Sequence, residues 1–137
     1  MSVLLLDTDV FSYLVKGDSR VLQYAPLLTG QSVAISFMTV AELYQWAALR
    51  NWGENRISEM ESVIKGYVVP PVDAEVCRRW GTIRALRKAA GRPISPQDAW
   101  IAATALCFDL PLVTHNSGDY TEIDGLDVRT VDSSGSA

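Results

Sequence analysis

Short apolar runs alternate with longer amphipathic stretches along the chain. Val3 to Leu6 predict a buried first strand, and Ser32 to Ser36 predict a second one. Three further short strands are predicted at 67–72, 111–116 and 126–131, and the prolines of YVVPPV end the first of these. Strands of this kind, separated by helices, are typical of a parallel sheet covered on both faces. The pattern therefore predicts an α/β fold with three layers, αβα.

The stretches between the strands predict helices, at 9–17, 21–30, 39–53, 55–66, 73–91 and 95–110. Thr8 or Asp9 is expected to cap the first helix, and Gly17 to end it. Ser95 is the expected cap of the last helix, because Pro96 suits the first helical position. The helices at 39–53 and 55–66 form a predicted helical hairpin.

The composition indicates one folded domain without a membrane span. Of the 137 residues, 48% are hydrophobic and 20% are charged, which is enough for a core. We expect residues 1–131 to form the domain and 132–137 to be a flexible tail. No apolar run is long enough to cross a membrane, and no signal peptide is recognisable. Cys77 and Cys107 are expected to be buried free thiols in a reducing, cytoplasmic setting.

Acidic side chains follow the predicted strands. Asp7 continues the first strand directly, Glu42 comes early in the helix after the second, and Asp98 lies in the first turn of its own helix. Ligand sites in parallel sheets lie outside the carboxyl ends of the strands, so we expect these groups to converge. Simpler interpretations exist, because Thr39 to Glu42 and Ser95 to Asp98 each match a capping box.

A cluster of carboxylates would suit a divalent cation. Like charges raise each other's pKa, and a cation relieves that repulsion. Mg²⁺ and Mn²⁺ prefer oxygen ligands, and Mg²⁺ typically binds one or two carboxylates and several waters. One or two such ions could polarise a phosphodiester and generate a hydroxide for in-line attack.

Four segments, in this order, resemble the motifs of the PIN-domain family, specifically its VapC-type toxin ribonucleases. They are LLLDTDVFSYL, ISFMTVAELYQWA, ISPQDAWIAATAL and LPLVTHNSGDYTEIDGLDV. Each motif alone is weak, but four at these separations are specific. The resemblance covers nearly the whole chain and implies a PIN-like αβα domain.

The resemblance also implies a Mg²⁺- or Mn²⁺-dependent endoribonuclease toxin. For the fourth acidic position the resemblance leaves Asn116 and Asp119 as alternatives that could share the role, because the family pattern T-x-N-x-x-D-F matches Thr114 to Tyr120 with tyrosine in place of phenylalanine. The implied catalytic acids are Asp7, Glu42, Asp98 and Asp119; the implied metal ligands are Asp7, Glu42, Asp98 and Asn116; the residues that support them are Thr8, Asp9 and Thr114.

Partners follow from the same resemblance. It implies a structured RNA substrate such as tRNA or rRNA, a homodimer, and a cognate VapB-type antitoxin whose C-terminal segment lies in or near the acidic groove. Part of the aromatic set of the hairpin would be core and part a dimer or partner surface; the set is Tyr44, Trp46, Trp52 and Tyr67.

The basic stretch RRWGTIRALRK has two interpretations. It is either an ordinary solvated helix face or a groove for RNA phosphates, which would offset the net charge of −4 locally. The candidate RNA-binding residues are Arg79, Arg84, Arg87 and Lys88. His115, the only histidine, is either a general base or, more simply, a surface-loop residue.

Two rival functions come from other classes of protein. Asp7-Thr8-Asp9 after a buried strand also resembles the haloacid-dehalogenase phosphatases, but no Asp-Asp pair follows Lys88 and the chain is short for that fold. A non-catalytic PIN-like interaction module is the second rival, and the presence of all three core acids argues against it.

Overall fold

A four-stranded parallel sheet lies at the centre of residues 3–131, which are the residues described by the structure, a computed structural model. Its strands are β1 (Val3–Leu6), β2 (Ser32–Ile35), β3 (Leu112–Val113) and β4 (Val128–Arg129). They stand in the order β2-β1-β3-β4, and all are parallel. Leu5 pairs with Ala34 on one side and Leu112 on the other, so β1 is an inner strand. The predicted α/β class and parallel sheet are confirmed.

Six α-helices surround this sheet within the described residues. They are α1 (Thr8–Lys16), α2 (Ala25–Leu28), α3 (Phe37–Leu49), α4 (Glu54–Lys65), α5 (Ala74–Ala89) and α6 (Pro96–Cys107). Two 3₁₀ helices, Ser19–Tyr24 and Ser117–Tyr120, complete the order. Helices α3 and α4 follow each other and are joined by a hydrogen bond from the Tyr44 hydroxyl to Glu61 at 2.6 Å, which agrees with the predicted hairpin.

Two apolar clusters cover the two faces of the sheet. Leu5 belongs to one cluster, together with residues of α5 and α6. Leu4 and Leu6 belong to the other, together with residues of α1 and α3. Successive side chains of a strand point to opposite faces, so one short run supplies both clusters. This confirms the three-layer αβα arrangement.

The prediction that YVVPPV forms a strand is wrong. Val68 makes a single bridge to Ala34, through an Ile35 N–H that donates to the Val68 carbonyl at 2.9 Å. Pro70 and Pro71 have no N–H, so the segment cannot continue the ladder.

Two helix starts differ from the prediction. Asp7, not Thr8 or Asp9, caps α1. The cap of α3 is Ser36, whose hydroxyl accepts from the Thr39 N–H at 3.1 Å, so the alternative interpretation of Thr39 to Glu42 as a capping box is wrong. Ser95 caps α6 as predicted, accepting from the Asp98 N–H at 3.0 Å.

The remaining expectations concern the cysteines, the aromatic residues, membrane spans and the C-terminal tail. Both cysteines are free, but Cys77 is exposed rather than buried. Tyr44 is exposed, whereas Trp46, Trp52 and Tyr67 pack against the second cluster. No helix within residues 3–131 has the length and apolarity that a membrane crossing requires. The predicted tail, 132–137, lies outside the described residues.

Replacing Ser36 with alanine should lower the free energy of unfolding by about 1 kcal/mol, because α3 loses its capping acceptor. Ser58→Ala, in the exposed middle of α4, is the control and should leave stability nearly unchanged. Urea denaturation of both variants measures the difference. Equal effects would mean that Ser36 does not cap α3.

Candidate active site

An acidic cavity of about 270 Å³ opens at the carboxyl edge of the sheet. This is the edge at which parallel sheets bind ligands. Its lining residues are Asp7, Thr8, Asp9, Ser12, Glu42, Trp46, Asp98, Asn116 and Asp119. The carboxylates therefore come from both ends of the chain and converge, as the sequence predicted.

Asp7 lies at the floor of this cavity and is only 6% exposed. Its Oδ1 accepts from the Thr8 N–H at 2.7 Å. Its Oδ2 accepts from the Thr114 hydroxyl at 2.7 Å and from the Tyr120 hydroxyl at 3.0 Å. A buried carboxylate is costly without donors, and here both oxygens have one.

Asp98 shares a hydrogen-bond donor with Asp7. The Tyr120 hydroxyl lies 3.2 Å from Asp98 Oδ1 as well as 3.0 Å from Asp7 Oδ2. One phenol oxygen therefore stands between two carboxylates that belong to different elements, the end of β1 and the first turn of α6.

Glu42 and Asp9 have partners of their own. The Thr8 hydroxyl donates to Glu42 Oε1 at 2.8 Å. Asp9 Oδ2 accepts from Asn116 Nδ2 at 2.9 Å and from the His115 N–H at 3.1 Å. Asp9 thus joins the start of α1 to the loop after β3, which agrees with the supporting role implied by the resemblance.

The electrostatics of the cavity disfavour ionised acids. Burial, reinforced by the charge of Asp9, raises the pKa of Asp7 to about 7, although the hydrogen bonds from Thr114 and Thr8 oppose this. Burial is also the largest cause that raises the pKa of Asp98 and of Glu42. A cation in this cavity would favour the ionised forms.

The donor set fits a hard divalent cation only in part. The carboxylates of the cavity offer oxygen atoms, which Mg²⁺ and Mn²⁺ prefer as ligands, and the hydroxyl and amide groups beside them hold those carboxylates in place. Within residues 3–131, however, no three His, Cys, Asp or Glu side chains are arranged to hold one ion. Glu42 accepts from Thr8 while Asp7 and Asp98 share Tyr120, so the three acids line one cavity without forming a three-ligand site in this structure. A carboxylate pair with waters is still a usual Mg²⁺ site.

Known proteins resemble this chain over most of its length. The PIN-domain family matches residues 4–126. Ribonuclease VapC1 of Haemophilus influenzae is 30% identical over 126 residues, which cover 90% of this chain and 94% of that protein. The chain belongs to the PIN-domain family, among its VapC ribonucleases.

Further relatives extend this result. The tRNA(fMet)-specific endonuclease VapC of Shigella flexneri is 29% identical, with 93% of this chain and 96% of that protein covered. The structure of DNA-bound VapBC from Salmonella typhimurium superposes with a TM-score of 0.82 at 26% identity, covering 96% of this chain and 100% of that one. Membership of the PIN-domain family excludes the haloacid-dehalogenase alternative.

The PIN-domain residues predicted from the sequence meet at this cavity. Thr114 is not one of its lining residues, but its hydroxyl donates to Asp7, which agrees with the supporting role implied by the resemblance. Asn116 uses its amide nitrogen to hold Asp9, while Asp119 is exposed and lines the cavity.

The basic helix does not line this cavity. Arg87 is 6% exposed and donates to three backbone carbonyls, so its prediction as an RNA-binding residue is wrong. Arg79 pairs with Glu75 at 3.2 Å, and Arg84 donates to a carbonyl of the following loop. Lys88 is the one of the four that is exposed and in no ion pair among the described residues.

Two residues of the site carried a weaker signal. Trp46 lies one turn after Glu42 on α3, so the same helix face reaches the cavity. Tyr120 replaces the phenylalanine of the family pattern, and its hydroxyl is the part that contacts the acids. His115 is half-buried, with Nδ1 2.5 Å from the Tyr24 hydroxyl, and is not part of the cavity wall.

Asp7→Asn should stabilise the protein in EDTA, and the gain should grow with pH. The folded-state pKa of Asp7, about 7, lies above its ordinary value of 3.8, so its favourable contribution is complete at low pH and is lost as pH rises through 7. Each unit of pKa difference corresponds to roughly 1.4 kcal/mol. Thermal melts at pH 5 and pH 8, conditions chosen on either side of about 7, measure the gain.

The control for this variant is Asp124→Asn, at an exposed carboxylate. It should change the melting temperature little at either pH. A melting temperature of Asp7→Asn that falls below the parent's at the higher pH would mean that the ionised Asp7 is a stabilising, fully paired acid.

Proposed function

We propose that this protein is an endoribonuclease toxin that cleaves phosphodiester bonds of RNA with the help of Mg²⁺ or Mn²⁺. The observation that carries the proposal is the pair of carboxylates, Asp7 and Asp98, on either side of one hydroxyl in the acidic cavity. Nothing in the wall offers a serine–histidine or cysteine–histidine pair among the described lining residues. Chemistry there rests on carboxylates.

The residues that would hold the cation are Asp7 and Asp98, with Glu42 or Asn116 at the rim. When bound, the cation would polarise the phosphodiester and activate a water for in-line attack. Asp7 and Asp98 would bind the cation. The hydrogen bonds from Thr114 and Thr8 hold the Asp7 carboxylate in its place. Asp119, exposed on the wall, is placed to accept a proton from water or to position it.

Substrate and partners are proposed from the relatives. A tRNA(fMet)-specific endonuclease is among them, so structured RNA such as tRNA is the expected substrate class. Solved VapBC complexes superpose on this chain, which supports a VapB-type antitoxin that neutralises it. We propose further that the protein is a homodimer and acts in the cytoplasm.

RNA phosphates need a positive surface near the acidic cavity, and the rim at Trp46 offers one. Lys16 Nζ lies 5.0 Å from the centroid of the Trp46 ring, and Arg50 Cζ lies 5.6 Å from it. Neither cation pairs with a carboxylate of residues 3–131. Both are exposed, so they remain available to phosphates.

The double variant Lys16→Gln, Arg50→Gln should weaken RNA binding and flatten its salt dependence by about one unit of slope for each phosphate that the variant no longer neutralises. Arg78→Gln is the matched control, because Arg78 is exposed but already pairs with Glu75 on α5. Fluorescence anisotropy with labelled tRNA at several salt concentrations gives the slopes. A slope that changes only in the control would move the RNA surface to α5.

Purified protein should cleave RNA in Mn²⁺ or Mg²⁺ and not in EDTA. Asp98→Asn should lower the rate by at least about a hundredfold, a loss of the size expected when a principal catalytic group is removed. Asp119→Asn and Asn116→Ala should lower it less, because we assign the first cation to Asp7 and Asp98. A gel assay on total tRNA measures all four proteins.

Expression without a partner should also arrest growth, and Asp7→Asn should relieve the arrest at an equal soluble level. Cleavage that persists in EDTA would remove the cation from the mechanism. A purified protein that binds RNA but never cleaves it would favour the non-catalytic interaction module.

A further inference from the structure

Arg87 is a buried cation without an acidic partner among the residues that the structure describes. It lies on α5, and only 6% of it is exposed. Its Nε donates to the Arg92 carbonyl at 2.6 Å, and its Nη1 donates to the carbonyls of Asp119 at 3.2 Å and Thr121 at 2.9 Å. Burying a charge that has only neutral acceptors is costly, and an apolar side chain could fill the same space. What the guanidinium adds is the geometry of its donors.

The carbonyls that Nη1 holds lie on either side of Tyr120. They belong to Asp119 and Thr121, the residues immediately before and after it. The second 3₁₀ helix, Ser117–Tyr120, ends at this point. Arg87 therefore fixes the backbone from which the Tyr120 side chain projects.

Tyr120 carries this constraint into the acidic cavity. The side chain is 2% exposed and packs in the first apolar cluster. Its hydroxyl reaches Asp7 Oδ2 at 3.0 Å and Asp98 Oδ1 at 3.2 Å. The ring alone would fill the core position, so the hydroxyl is the group that ties the end of β1 to the start of α6.

We propose that Arg87 and Tyr120 are positioning residues: Arg87 fixes the turn, and the Tyr120 hydroxyl holds the Asp7 and Asp98 carboxylates at the spacing in which they bind a divalent cation. This inference rests on the proposed metal site. Partners that orient metal ligands typically change metal affinity by about ten- to a hundredfold when they are removed.

The test is Mn²⁺ binding, measured by isothermal titration calorimetry at a temperature at which the parent and Tyr120→Phe are folded. Tyr120→Phe removes one oxygen and keeps the ring, so the fold should persist. Arg87→Lys keeps the charge but loses the fork that reaches several carbonyls. Each change should weaken Mn²⁺ binding by about tenfold. The matched control, Arg84→Lys, lies on the same helix, contacts a different carbonyl, and should leave binding unchanged.

The double variant Arg87→Lys, Tyr120→Phe tests whether Arg87 acts on metal binding through Tyr120. Since Arg87 acts through Tyr120, the combined loss should resemble that of the larger single variant and should not be the product of both. Multiplied losses would overturn that connection.

Other outcomes separate this inference from the proposed function. Unchanged Mn²⁺ affinity in folded Tyr120→Phe, with the parent binding normally, would overturn the positioning role and leave the metal site intact. A parent that binds no Mn²⁺ would overturn both. If Arg87→Lys melts below the titration temperature, Tyr120→Phe alone decides.

Discussion

A carboxylate at the buried end of an inner strand is the constraint on which this structure depends. Asp7 follows β1, which has neighbours on both sides and apolar clusters on both faces. Every donor that Asp7 needs must come from the carboxyl edge of the sheet. The donors are the first residue of α1, Thr114 directly after β3, and Tyr120 in the second 3₁₀ helix. Fixing this one side chain therefore fixes three segments.

The same constraint explains the electrostatics of the site. Hydrogen bonds make the buried Asp7 tolerable, but burial and the neighbouring Asp9 still raise its pKa to about 7. Asp98 and Glu42 have raised pKa values for the same first reason, burial. A positively charged ligand would favour the ionised acids and stabilise the folded protein. The acids of the site are therefore held in positions where burial disfavours their ionised forms.

The sequence predicted the parts of this arrangement that depend on local chemistry. The apolar run before Asp7 and the Ser95-Pro96 start of α6 were sufficient to place two of the acids, because burial and helix capping are read from neighbouring residues. The start of α3 was misplaced since Ser36 and Thr39 are both good caps, and the structure uses Ser36, the residue directly after β2. The prolines of YVVPPV marked the end of a strand that never forms beyond Val68.

The larger errors concern one residue whose helical position was overlooked and one whose contacts are distant in the chain. Arg87 was assigned to a solvated face or an RNA groove because the surrounding stretch is basic. Its spacing of four from Ile83, which itself lies seven residues after Val76, places it on the buried stripe of α5. The role of the Tyr120 hydroxyl could not be predicted, because its two acceptors are 113 and 22 residues away in the chain.

The binding of one divalent cation by Asp7 and Asp98 together is the central claim. Anomalous diffraction from crystals grown with Mn²⁺ tests it most directly, because the peak locates the ion without reference to activity. We expect a peak in the acidic cavity that contacts a carboxylate oxygen of both residues. A cavity with no peak, or a peak bound only by other residues of the wall, would contradict the claim.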